Sequence, residues 1–212
     1  MGGADPIRSG LVTSLSRPDG NLTGVSTFIA EMEPKRLGLL RELRPHATTT
    51  DVLVNPGNIP QAEIQVSDIQ TAARSIGEEI TILNASTIRD IDVAFARLVE
   101  MRADALSVAG DPFFFNRAAQ LVVLAARHTI PTLYARREFA AAGGLMSYGP
   151  NINDSYRLLG VYAARILKGE KPGDLPIQLP TKYELVINLR TAKALGLAIP
   201  AGILAITDDV IE

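Results

Sequence analysis

The chain has 212 residues, 47% of them hydrophobic and 21% charged, enough to bury a substantial core and unlike a disordered or fibrous polymer. Its net charge of -2, with Lys and Arg scattered rather than clustered, excludes the basic face that phosphate backbones require, so no nucleic-acid partner is expected. There is no cysteine, which removes disulfides, thiolate catalysis and cysteine-ligated metals.

The opening residues 1–6 carry neither a basic n-region nor an apolar h-region, so no signal peptide is visible, and no apolar run approaches the ~20 residues of a membrane span. Gly3, Ala4, Asp5 and Pro6 read as the loop that follows a strand, although no strand precedes them. Residues 7–12 then start a short helix, and Arg17, Pro18, Asp19, Gly20 and Asn21 make a strong turn. Such a beginning points to a chain that lacks an N-terminal portion of the natural protein.

Residues 33–43 read as a helix with Pro34 tolerated in its first turn. A rhythm follows. Short apolar, β-branched runs at 51–54, 80–83, 105–108 and 131–134 read as strands buried on both faces, starting about 25 residues or a little more apart. Between them, apolar residues recur at helical spacing, as at Ile64, Ile69, Ala72 and Ile76. The expectation is an α/β fold with a parallel, doubly wound sheet. Asn153, Asp154 and Ser155 offer cap chemistry for a helix that stops at Gly169, and Pro172, Gly173, Pro176 and Pro180 make a stiff crossover. Residues 184–188 form a short strand, 191–195 begin a short helix, and 203–211 suit a last one.

Ligands of open parallel sheets sit beyond the carboxyl ends of the strands. That rule selects Asn55, Asn84, Asp111 and Tyr134. Three of the chain's six phenylalanines, Phe113, Phe114 and Phe115, directly follow Pro112 and Asp111. Flat rings can stack on a solute while a carboxylate accepts bonds from an amine or hydroxyl, which makes Asp111, Phe113 and Phe114 candidate ligand contacts. The alternative is that Asp111 caps the next helix and the rings pack beneath the loop. In the first case Asp111→Ala weakens binding with little loss of stability. Gly144 and Gly149 bracket a short strand that carries Tyr148, a further candidate contact. These glycines suit a hinge, or else an ordinary loop to an edge strand.

Enzyme signatures are absent: no G-x-G-x-x-G after a strand, no G-x-x-x-x-G-K-[ST], no G-x-S-x-G. The two histidines, His46 and His128, have no suitably spaced partner, so neither a metal site nor a catalytic triad is expected. No cofactor is expected.

Several stretches resemble the bacterial ABC transporter substrate-binding proteins of the tryptophan- and tyrosine-type family, a branch of the type I periplasmic-binding fold. They are Asp5 and Pro6 with Gly10, Leu11 and Val12; RPDGNLTGVS at 17–26; DPFF at 111–114; EFAAAGGLMSYG at 138–149; and LVINLRTAK at 185–193. The resemblance implies two α/β lobes that close on a small-molecule solute. It also implies export to the periplasm and delivery of the solute to ABC permease subunits in the membrane. Under it, residues 1–26 are a remnant of the first lobe and 27–150 the second lobe. Residues 151–182 are a first-lobe helix and hinge crossover, and 183–212 the second lobe's C-terminal segment, so the second lobe is complete and the first partial. A cytoplasmic ligand-sensing domain of a transcriptional regulator is the alternative reading of the same fold.

Overall fold

The computed structural model describes residues 5–27, 32–47 and 49–212. Gly3 and Ala4 of the expected opening loop lie outside the described residues. The chain divides into two compact units, one of Met1–Ile29 and Pro150–Tyr183, the other of Ala30–Gly149 and Glu184–Glu212.

The larger unit is built on seven strands: β1 (Thr49–Val54), β2 (Glu79–Asn84), β3 (Leu106–Val108), β4 (Thr132–Tyr134), β5 (Met146–Pro150), β6 (Tyr183–Asn188) and β7 (Asp209–Ile211), in the spatial order β2-β1-β3-β4-β5-β6-β7. Pairs from β2 through β5 are parallel, as is β6 with β7. Asn188 N donates to Leu145 O at 2.9 Å and Asn151 N to Lys182 O at 3.1 Å, which sets each end of β6 against the opposite end of β5. The sheet is therefore mostly parallel, with its last two strands reversed. Side chains alternate across it as strand geometry demands. Val52 and Val54 of β1 pack with Leu37 and Ile69, while Leu53 enters the cluster of Ile91, Phe95, Leu98 and Leu121 on the other face.

The helices supply those faces: α1 (Glu33–Leu43), α2 (Ile59–Ile76), α3 (Ile88–Met101), the single turn α4 (Pro112–Phe115), α5 (Ala118–Arg127) and α6 (Arg137–Ala141). Their ends follow local chemistry. Thr87 and Asp90 form a capping box at the start of α3, and Gly77 takes the left-handed conformation that closes α2.

The structure departs from the sequence reading in three places. First, β2 is an edge strand with its residues mostly half-exposed, because it pairs only with β1. Second, residues 7–12 form no helix. Asp5 Oδ1 accepts from Ile7 N at 2.7 Å and Arg8 N at 3.3 Å, and the turn ends at Gly10 with φ 71°. One capped turn closed by a left-handed glycine has nothing to propagate it. Third, 203–211 splits into α9 (Ala201–Ala205), which follows α8 (Leu189–Ala194), and strand β7. Asp208 binds Leu185 N through its side chain at 2.8 Å, and 209–211 then pair with 186–188, so sheet hydrogen bonds override helical spacing.

The smaller unit holds α7 (Ile152–Leu167), capped by Asn151, whose Oδ1 accepts from Asp154 N at 3.1 Å. Its two segments are joined by backbone bonds, Ser26 N to Gln178 O at 3.0 Å and Gln178 N to Gly24 O at 2.9 Å. Tyr162 donates its hydroxyl to Pro176 O at 2.6 Å and accepts from Gln178 Nε2 at 2.9 Å.

Candidate functional site

The chain runs from β1 outward to β2 and returns to β3 on the other side of β1, so the sheet's topological switch lies between β1 and β3. Loops leaving neighbouring strands at such a point diverge, which opens a crevice at their carboxyl ends. Here the loops are residues 55–58 and 109–111, and their polar side chains converge. Asn55 Nδ2 donates to Asp111 Oδ1 at 2.8 Å, and Asn58 Nδ2 donates to Asp111 Oδ2 at 3.0 Å. Phe113 N gives Oδ1 a further bond at 2.8 Å. Asn55 Oδ1 in turn accepts from Gly57 N at 3.0 Å, holding its own turn.

Asp111 is 2% exposed and acts as the N-cap of α4, with Pro112 at the first helical position. Its carboxylate accepts three N–H bonds, of which the one from Phe113 N is the cap and the other two come from the asparagine amides. The rings that follow separate by burial. Phe114 is fully buried among Leu53, Leu121 and Phe139, because a one-turn helix over a parallel sheet must point one side chain inward. Phe113 stays half-buried, with the Arg117 guanidinium 3.9 Å above its ring. Phe115 carries Arg136 in the same way, also at 3.9 Å. Both stacks are cation–π contacts at the strand-end rim.

Tyr134 is 0% exposed and stacks on Phe139 with centroids 4.5 Å apart. Burial pushes its phenol pKa up, so it is a neutral core residue. Tyr148 is half-buried near the end of β5, and its carbonyl accepts from Arg36 Nε at 2.9 Å. Asn84 stands apart from the Asp111 cluster. It is exposed and borders an open groove of about 510 Å³ lined by Val54, Pro56, Ile59, Ala62 and Val66.

Gly144 and Gly149 owe their identity to close approach. A Cβ on Gly144 would lie 2.7 Å from Tyr134 Cε2 and 2.8 Å from Phe139 O, and one on Gly149 would collide with the Ala135 carbonyl. Neither has the positive φ that only glycine tolerates; that falls to Gly143, at 104°.

The rim thus collects Asn55, Asn58 and Phe113 around a buried Asp111, with Tyr148 on β5, two strands from β3. Sequence reasoning missed Glu33, Arg36 and Gln65 as its supports. Gln65 Nε2 donates to Gly110 O at 3.0 Å from within α2, a contact that no spacing rule in the strand-end loops signals. Among the described residues no group of three or more His, Asp or Glu could hold a metal ion, and no helix is long and apolar enough to cross a membrane.

A mostly parallel sheet switched between β1 and β3, with polar loops gathered there, defines an α/β protein of the type I periplasmic-binding kind. The chain belongs to the family of ABC transporter substrate-binding proteins, whose model matches residues 1–211. It is 28% identical over 193 residues to a tyrosine-binding protein of Clostridioides difficile, covering 91% of this chain and 55% of that protein. The chain therefore spans about half the length of that curated relative. A conserved domain protein from Vibrio cholerae superposes with a TM-score of 0.86 at 25% identity, over 97% of this chain and 68% of that one. An ABC domain from Streptococcus pneumonia in complex with L-Trp gives 0.84 at 26% identity, over 98% and 71%.

Proposed function

We propose that the protein is the solute-binding component of an ABC importer, acting outside the cytoplasm and binding an aromatic amino acid or a closely related small organic solute. The observation that carries this reading is the convergence of Asn55, Asn58 and Asp111 at the topological switch, where α/β folds place their ligands. Asn55 and Asn58 combine donor and acceptor atoms in one side chain and remain half-buried, which suits the charged ends of an amino acid. Phe113 adds a half-buried aromatic side chain beside them. The relatives' solutes, tyrosine and L-Trp, support the aromatic choice. Delivery would be to the permease subunits of the importer. The proposed role is binding and delivery, with no catalytic step.

Isothermal titration tests the reading. The 212-residue chain, and the same chain joined to any coding sequence that precedes Met1, are titrated with L-tryptophan, L-tyrosine, L-leucine and D-ribose. Saturable binding of the aromatic amino acids with weaker or no response to the others is the expected result. Silence toward both aromatic amino acids in both forms overturns it.

A further inference from the structure

Glu33 and Arg36 at the start of α1 form an ion pair whose side chains are both 0% exposed. A buried pair is seldom a net source of stability. Desolvating two charges costs about as much as their attraction returns, and apolar replacements of similar volume are often neutral or stabilising. The contacts of this pair give it another role. The Glu33 carboxylate faces Arg36, accepts the backbone N–H of Gly110, and lies 3.4 Å from Ser107 Oγ. Arg36 Nε donates to the Tyr148 carbonyl at 2.9 Å. Gly110 immediately precedes Asp111, and its own carbonyl is held from the other side by Gln65. One pair on one helical turn therefore grips the loop leaving β3 and the end of β5, two strands separated by β4.

We propose that Glu33 and Arg36 are positioning residues for the binding rim: they hold the Gly110–Asp111 turn and the Tyr148 end of β5 in one fixed relation, and so set solute affinity rather than fold stability. The inference rests on the reading that these loops meet a solute. Its physical basis is preorganisation, because loops already held in the bound arrangement lose less freedom when the solute arrives.

The test is the double variant Glu33→Leu/Arg36→Met, compared with the parent by thermal unfolding, by titration with the aromatic amino acid that the parent binds, and by amide NMR. A Tm close to the parent's, an affinity lower by roughly tenfold or more, and an upfield move of the Gly110 amide proton are expected. An affinity within about twofold of the parent's, or an unmoved Gly110 signal, overturns the proposal. If the double variant does not fold, Arg36→Lys decides. It keeps a cation beside Glu33 but loses the planar fork that reaches Tyr148. Weaker binding at an unchanged Tm supports positioning, and parent-like affinity overturns it. If the parent binds neither aromatic amino acid, the solute assignment fails by itself. The amide signals of Gly110 in the double variant and of Gly149 in Arg36→Lys then test the grip separately, and unmoved signals overturn it.

Discussion

Asn55 Nδ2 donates to Asp111 Oδ1 at 2.8 Å, joining the loop after β1 to the loop after β3 across the topological switch. Asn58 and the Phe113 amide complete a set of three N–H donors around one buried carboxylate. A carboxylate so surrounded organises the loops on either side of the switch. The asparagines, Phe113 and Tyr148 are half-buried, and under the proposed function they are the side chains that would meet a solute.

Asp111→Ala should therefore cost stability. It removes the cap of α4 and leaves two asparagine amides without their acceptor, a loss of roughly 2–4 kcal/mol when cap and charge-assisted bonds are taken together. Denaturant unfolding at neutral pH measures it. A change under about 0.5 kcal/mol, the usual range for surface substitutions, would show that the network contributes little.

The glycines of the β5 region separate from others in the chain by the room around them. Gly149→Ala should destabilise by roughly 2 kcal/mol or more, since its methyl meets backbone that cannot yield. Gly144→Ala should cost less, because the Tyr134 ring can shift although the Phe139 carbonyl cannot. Gly160→Ala, on exposed helix surface with nothing within 4 Å, should stabilise by about 0.5–1 kcal/mol. Unfolding of the three variants in one buffer gives the order directly, and a destabilised Gly160→Ala would break it.

The strand–helix alternation from 49 to 150 was legible because strands buried on both faces must be written as continuous apolar runs, as in Val52, Leu53 and Val54. The edge position of β2 was not, since Ile80 and Ile82 look the same in sequence whether one neighbour or two pair with them. Asp111 was visible as a strand-end residue, but its partners Asn55 and Asn58 lie 56 and 53 positions away, beyond any local pattern. The same distance hid Arg36, whose bond to Tyr148 spans 112 positions. Residues 209–211 were misjudged for a related reason: helical spacing is a local signal, and the pairing with β6 that overrides it is not.

Tyr162→Phe tests how the two segments of the smaller unit are held. The phenol both donates to Pro176 O and accepts from Gln178 Nε2, so its removal leaves one acceptor and one donor unsatisfied. A loss of about 1–2 kcal/mol is expected, with faster amide exchange at Gln178, whose N–H is bonded to Gly24 O at 2.9 Å. Unchanged exchange at Gln178 would mean that the backbone bonds alone hold the segments together.

Asp51 should shape the pH dependence of stability. It sits within β1 at 1% exposure, on the face that carries Leu53, and burial pushes its pKa up from 3.8 to about 6. Thr81 and Arg97 oppose the shift and Asp104 adds to it, all less than burial does. Because the folded pKa is the higher one, the native state holds its proton over a range where the unfolded chain has released it. Stability is therefore largest below about pH 4, falls as pH rises toward 6, and above that carries a constant penalty of order 1–3 kcal/mol. Other carboxylates impose their own slopes, so the informative quantity is the difference between the parent and Asp51→Asn. That variant cannot ionise at this position, and its stability relative to the parent should rise between pH 4 and 6 and then level off. Unfolding measured at half-unit steps across this range checks the curve. A difference that is flat with pH would show that Asp51 ionises in the folded protein as freely as in the unfolded chain.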